Sequence, residues 1–439
     1  MSWSLDEVES RFLEYMEANG HQRIGGHSVL SPTDDVLFTT AGMHPLTPYL
    51  HGQPHPMGRR LCDVQRCVRT TDIDEVGDNR HLTIFEMVGN WSLGDYFKET
   101  AIPQSMGLLT GVYGIDPEKL YVTVFAGLPE IGIGLDTEAV ELWSQAFSDL
   151  GVDPEGHINP LTDNWWSNGP VGLCGPDTEM FVYVGHEEAP TFADTAEFVE
   201  IWNNVFMTYE RDAEGTLTEL NQRNIDTGMG AERAELFLNH RETVWETPEM
   251  AALLDTVAEA LEVADGRLDE DGVISQRIVA DHLRAGLTIA AAGVYPSASR
   301  QGYVLRRLIR RAVRHAELLT GSEDGLAEKV HAAAGAVAEV QGRRWNDLTG
   351  ESGEHAREVI DKEIAKFAKA LEHGLEVLHH DAEEGKVFDG DLAFHAADTL
   401  GYPAELALEE ATRIGMVVDP DWQDRYDELR EEQRARSRG

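Results

Sequence analysis

The stretch Arg66–Met87, RCVRTTDIDEVGDNRHLTIFEM, constrains the fold more than any other part of the chain. Two β-prone runs flank a loop rich in Asp, Gly and Asn, the pattern of an antiparallel strand pair joined by a long charged loop. The first run ends on Arg69; the second opens with Arg80 and His81 and reaches Phe85. A strand-borne arginine pairs with a carboxylate or phosphate through two parallel hydrogen bonds. An aromatic ring on the partner strand can stack on a flat base. Taken alone, the stretch reads as a surface hairpin with a basic edge.

Charge narrows what the chain can meet. The 439 residues carry a net charge of −43. Self-repulsion of that size opposes a compact state unless salt screens it, and at 1 M salt the Debye length is only about 3 Å. The expectation is a halophilic protein in a high-salt cytoplasm, and any nucleic-acid contact must be local. Hydrophobic residues make up 42% of the chain, enough for two or three domains with real cores. There is no run of about 18 apolar residues to span a membrane. The start, MSWSLDEVESRF, lacks the basic-then-apolar pattern of a secretory signal, so a cytoplasmic location follows. Three cysteines, Cys62, Cys67 and Cys174, argue against a disulfide framework and read as buried reduced thiols with no zinc.

Along the chain, residues 4–18 read as an amphipathic helix with Ser4 and Glu7 in capping-box spacing. Residues 174–185 and 197–210 read as central strands, and their polar interruptions Glu179, Glu200 and Asn203 need partners or a ligand. Asp226–Arg233, DTGMGAER, is as a bare pattern a Gly-rich turn leading into a helix. After about residue 242 the chain becomes Ala-, Leu- and Glu-rich. Ile360, Ile364, Phe367, Leu371, Leu375 and Leu378 mark the buried stripe of a long helix. The predicted domains are 1–242 and 243–439.

Between Asp281 and Glu317 there is no acidic residue, where the overall share of 79 in 439 predicts about six. The same window holds Arg284, Arg300, Arg306, Arg307, Arg310, Arg311 and Arg314, the last five on a helix. This is the footprint of a phosphate-backbone contact. The other reading is an arginine helix buried against the acidic remainder.

Arg-x-x-Arg, loop, Arg-His-x-x-x-Phe resembles the second signature motif of class II aminoacyl-tRNA synthetases, and DTGMGAER resembles their third. FTTAGM, FEMVGNWSLGDYFK, CGPDTEMF, EIWNNVFM, VADHLR and GYVLRRLIRRAVRH resemble, in order, segments of the alanyl-tRNA synthetase family. The resemblance implies an α+β fold: the class II antiparallel β-sheet flanked by helices in the catalytic domain, then a mostly α-helical tRNA-recognition domain. It implies activation of alanine with ATP and Mg²⁺ and transfer to tRNA. Arg69 would meet the alanine carboxylate and the α-phosphate, with Arg80 and His81 also on ATP. Phe85 and Arg233 would sandwich adenine, and Arg69 and Arg233 carry the catalytic role. Asp226 would take the ammonium, and Met43, Trp166, Val205 and Gly228 would wall a methyl-sized pocket. Glu179 and Glu200 are the candidate Mg²⁺ ligands. Arg300, Arg306, Arg307, Arg310, Arg311, Arg314 and Asp398 would face the tRNA acceptor stem.

Three departures from the family pattern qualify that picture, one being a second-motif loop, Thr70–Asn79, shorter than in many members. Ala298 stands where the family usually has an Asn that, with the residue matching Asp398, reads an identifying G·U pair. The family usually continues into an editing domain, and no His-x-x-x-His zinc signature follows residue 242; the spacing His51–His55 lies ahead of the Arg66–Met87 stretch. Misactivated serine would then go uncorrected in cis. An alanine-activating paralogue with a non-tRNA acceptor, and a non-catalytic tRNA-binding homologue, stay open, as does the oligomeric state.

Overall fold

Alternation along the strands decides which side chains meet. The computed structural model describes residues 3–32, 36–187, 190–193, 195, 197–263, 268–322 and 324–438. Among these, nine strands form one sheet: β1 (Gln22–Arg23), β2 (Arg60–Val68), β3 (Ile84–Leu93), β4 (Leu120–Phe125), β5 (Ile158–Leu161), β6 (Trp165–Ser167), β7 (Gly172–Tyr183), β8 (Phe198–Arg211) and β9 (Leu217–Gly230). The order is β1-β2-β3-β9-β8-β7-β4-β5, with β6 on β7. Only β1·β2 and β4·β5 are parallel.

Successive strand residues point to opposite faces. Cys62, Val88, Phe206 and Ile225 enter one large apolar cluster. It is built with Phe12 of α1 (Leu5–Ala18), Ile102 of α3 (Lys98–Met106), Trp143 of α4 (Thr137–Asp149) and Ala234 of α5 (Ala231–Leu238). Leu61, Trp91, Val205 and Met207 point the other way, into a smaller cluster with Met43, Leu46 and, from α2 (Thr47–Leu50), Leu50. A bulge in β8 resets the alternation. Glu200 pairs with Phe181 and Trp202 with Met180, so Ile201 is the extra residue. Ile201 and Trp202 both enter the large cluster, which leaves Glu200 and Asn203 both on the other face.

α1 begins as its capping box dictates. Glu7 N donates to Ser4 Oγ at 3.3 Å and Ser4 N to Glu7 Oε2 at 3.0 Å. Two local expectations fail. The second strand of the hairpin starts at Ile84, not at Arg80, because Arg80 N and His81 N both donate to Asp78 Oδ1 at 2.8 Å. Those donors close a turn and are lost to a ladder. Asp226–Gly230 is no turn. It continues β9, with Gly228 opposite Asn203 and Gly230 opposite Met87. A Cβ at Gly228 would sit 2.7 Å from Met87 Sδ, so a larger residue there would push the Met87 side chain aside.

The chain groups into two compact units, 1–69 with 84–249 and 70–83 with 250–439. The second consists of helices: α6 (Pro248–Ala260, entered at its third residue), α7 (Glu270–Ala291), α8 (Arg300–Thr320), α9 (Leu326–Gly342), α10 (Gly350–Glu383), α11 (Gly390–His395), α12 (Ala404–Arg413) and α13 (Trp422–Arg438). The stripe from Ile360 to Leu378 is buried along α10. Segment 70–83 belongs to this unit although it joins β2 to β3. No described helix is long and apolar enough to cross a membrane.

Candidate active site

The face of the sheet opposite the large core gathers most of the predicted site. One cross-strand row runs Leu61, Trp91, Asp226, Val205 over β2, β3, β9 and β8. Asp226 is buried, and its Oδ1 accepts from Trp91 Nε1 at 2.7 Å. Burial, only partly offset by that bond, pushes its carboxyl up to about 7. Met43, Val205 and the half-buried Trp166 of β6 share the apolar cluster that holds Trp91. A carboxylate beside an apolar pocket, with no cation paired to it among the described residues, suits a small ammonium ligand.

Arg69 follows β2, and its guanidinium lies 5.0 Å from the ring centroid of Phe85, the second residue of β3. Its Nε donates to Thr40 O at 3.3 Å, and among the described residues no carboxylate pairs with it. A half-buried arginine left without an anion is a ready anion site. On α5, Arg233 Nη1 reaches Glu200 Oε2 at 3.2 Å and Glu200 O at 3.3 Å. Glu179 lies opposite Asn203. Burial first, then Glu200 and Asp177, push Glu179 up to about 8. Burial likewise pushes Asp177 up to about 6, against the bond from Asn203 Nδ2 at 3.1 Å. The buried Asn203 Oδ1 has no partner among the described residues. No group of three or more His, Cys, Asp or Glu among the described residues forms a metal site by itself. Two crowded carboxylates do, however, fit a Mg²⁺ whose other ligands come from phosphates and water.

Sequence reasoning missed Trp91 and Asp177. Asp177 was within reach, because its even spacing from Glu179 puts both on one face of β7. Trp91 carries no chemical signal and matters through its register with Asp226. The three cysteines are buried free thiols, with burial pushing Cys62 up to about 12.

In the helical unit, Arg80 and His81 sit in segment 70–83, with His81 held by Asp78 Oδ2 at 2.6 Å and Glu75 Oε2 at 3.1 Å. The α8 arginines split into two groups. Arg310, Arg311 and Arg314 are buried. Arg310 Nε meets Glu363 Oε1 at 2.6 Å, Arg311 Nε lies 3.5 Å from Glu409 Oε1, and Arg314 pairs with Glu317 and Glu410. These three therefore enter internal ion pairs with carboxylates of α8, α10 and α12, which matches the second reading of the arginine run. Arg306 and Arg307 are half-buried and Arg300 is exposed. Arg306, Arg307 and Arg310 line a cavity of about 500 Å³ together with Ala298, Asp398 and Gln433. Gln433 Nε2 of α13 donates to Asp398 Oδ1.

The family model described as tRNA synthetases class II (A) matches residues 7–439. An alanine–tRNA ligase of Borrelia hermsii is 41% identical over 432 residues, spanning 94% of this chain and 70% of its own length. One of Treponema pallidum is 41% identical over 432 residues, spanning 94% and 69%. One of Thermobifida fusca is 37% identical over 438 residues, spanning 94% and 47%. The chain belongs to the class II (A) tRNA synthetases and, within them, to the alanine–tRNA ligase family.

Proposed function

We propose that this protein activates alanine with ATP and passes it to the 3′ end of tRNA(Ala). The observation that carries the reading is Asp226, a buried carboxylate with no cation paired to it among the described residues, in one row with Trp91 and Val205. Arg69, with no carboxylate partner among the described residues, lies on the same face of the sheet.

Adenylate formation brings two anions together in line, which calls for cations and positioning more than proton transfer. Asp226 binds the alanine ammonium. Val205, Trp166, Met43 and Gly228 leave room for a methyl group. Arg69 holds the alanine carboxylate and the α-phosphate, and its contact with the Phe85 ring, 5.0 Å to the centroid, helps position the guanidinium. Phe85 and Arg233 flank adenine, with Arg80 and His81 toward the phosphates. Glu179 and Glu200 would hold Mg²⁺, which would supply charge neutralisation on the phosphate oxygens. No protein base is needed. Residues 1–242, apart from segment 70–83, form the catalytic domain, and 243–439 the tRNA-recognition domain, with Arg300, Arg306, Arg307 and Asp398 toward the acceptor stem. A pocket built for a methyl group rejects an added hydroxyl by only about 10², so serine is also activated.

The charge of −43 supports work in a salt-rich cytoplasm. The test pairs alanine-dependent ATP–pyrophosphate exchange with transfer of labelled alanine to tRNA, both in molar potassium chloride. Exchange with charging is expected. Exchange without charging would refute tRNA as the acceptor, and no exchange would refute the whole reading.

A further inference from the structure

Segment 70–83 is clasped to the helices at four places, and one of the four opens onto the cavity. Asp281 Oδ1 accepts from Thr83 N at 2.9 Å, and Asp281 Oδ2 takes Nδ1–H of His282, also at 2.9 Å. Arg311 Nη1 donates to Ile73 O at 3.0 Å and to His282 Nε2 at 3.1 Å. These groups are all buried. Arg277 Nη1 holds Gly77 O at 2.9 Å and Asp78 O at 3.0 Å. At Gly77, with φ +120°, a Cβ would meet Ile274 Cγ2 at 2.8 Å, so only glycine lets the segment lie this close to α7.

The fourth clasp differs. Arg307 Nη2 meets Asp74 Oδ1 at 2.6 Å, with the side chains 24% and 63% exposed. Of the four clasping side chains, Arg307 is the one that lines the cavity. Beside it Arg306 has no carboxylate partner among the described residues and lies over the Tyr303 ring. Burial, then the nearby Arg310, depress its pKa, against the opposing pull of Glu363 and Glu405. The residue after Asp74 is Glu75, whose carboxylate holds His81.

We infer that Arg307 couples the cavity to segment 70–83: a phosphate of an RNA stem in the cavity draws its guanidinium off Asp74, loosening the stretch between the clasps at Ile73 and Gly77 and with it the hold of Glu75 on His81. The inference rests on the reading above, in which the cavity faces RNA and His81 serves ATP. Arg307 is here a positioning residue. It reports cavity occupancy to the segment that joins Arg69 to Phe85, through Asp74 and Glu75.

The test is amide hydrogen exchange of residues 73–77 in the full 439-residue chain, with and without an acceptor-stem RNA hairpin ending in 3′-deoxyadenosine. Saturation is set by fluorescence anisotropy. Bound RNA should speed exchange about two- to five-fold, the range open to one exposed ion pair. Asp74→Ala should show the faster rate without RNA and gain nothing from it, and Asp74→Asn should fall between. RNA that binds without changing the wild-type rate would overturn the coupling, as would an equal gain in Asp74→Ala. Inorganic phosphate that matches the RNA effect at equal phosphate concentration would overturn RNA as the ligand. RNA that fails to bind while alanine-dependent exchange persists would overturn the coupling and the tRNA acceptor together, and leave alanine activation standing.

Discussion

Arg69 and Arg314 are the same residue in opposite circumstances. Arg69, at the end of β2, is half-buried, rests on Phe85 and meets no carboxylate among the described residues. Arg314, on α8, is almost fully buried and pairs with Glu317 and Glu410. In a chain with 79 acidic residues an arginine has abundant partners. One that has none is therefore informative, whereas a run of arginines is not. The carboxylates mirror this. Asp226, buried with no cation beside it among the described residues, is pushed up to about 7 by that burial. Burial alone would raise Glu410 too, but Arg413, His379 and Arg314 outweigh it and hold it below the ordinary range.

The sharpest way to break the contrast is Arg69→Ala. Losing a cation aimed at the reacting anions should cut kcat/KM for alanine-dependent pyrophosphate exchange by about 10³ or more. The urea midpoint should barely move, because no buried partner is left behind. Near-normal exchange in this variant would remove Arg69 from the site. Arg314→Ala should do the reverse. It removes one of three partners of Glu410, with Arg413 and His379 remaining, and should cost about 1.5–3 kcal/mol in urea unfolding. The molecules that remain folded should exchange pyrophosphate normally; a stable but inactive variant would return Arg314 to the functional set.

A smaller effect separates the two acids by pH. Alanine's ammonium needs Asp226 ionised, so the KM for alanine should rise about eight-fold as pH falls from 7.5 to 6. A flat profile would show that Asp226 does not bind the ammonium. The stability signs also oppose each other. A raised Asp226 penalises the folded state above about pH 7, and that penalty fades as pH falls toward the ordinary carboxylate value. The depressed Glu410 stabilises the fold above the ordinary carboxylate range, and that contribution is lost as pH falls through its lowered folded-state value.

Much of the sheet was legible before any coordinates. The near-continuous apolar runs 174–185 and 197–210 report central strands because such strands are covered on both faces. The capping box before α1 and the stripe along α10 are equally local signals. What failed was also local in origin. Arg80 and His81 looked like the start of a strand, but Asp78 took their backbone donors. DTGMG looked like a turn because glycine usually marks one, yet here it makes room for Met87 in a flat strand.

By itself the sequence determined the family, the sheet and the helices, and which residue types could bind alanine and ATP. Those are written in short patterns whose chemistry travels with a few neighbouring residues. The tertiary structure alone decided which arginines are occupied. Arg310 finds Glu363 across 53 positions and Arg314 finds Glu410 across 96. It also decided that segment 70–83 belongs with the helices, through bonds such as Thr83 to Asp281, 198 positions apart. Partner choice at such separations depends on how the chain folds back on itself, and an acid-free stretch records only that partners must come from elsewhere.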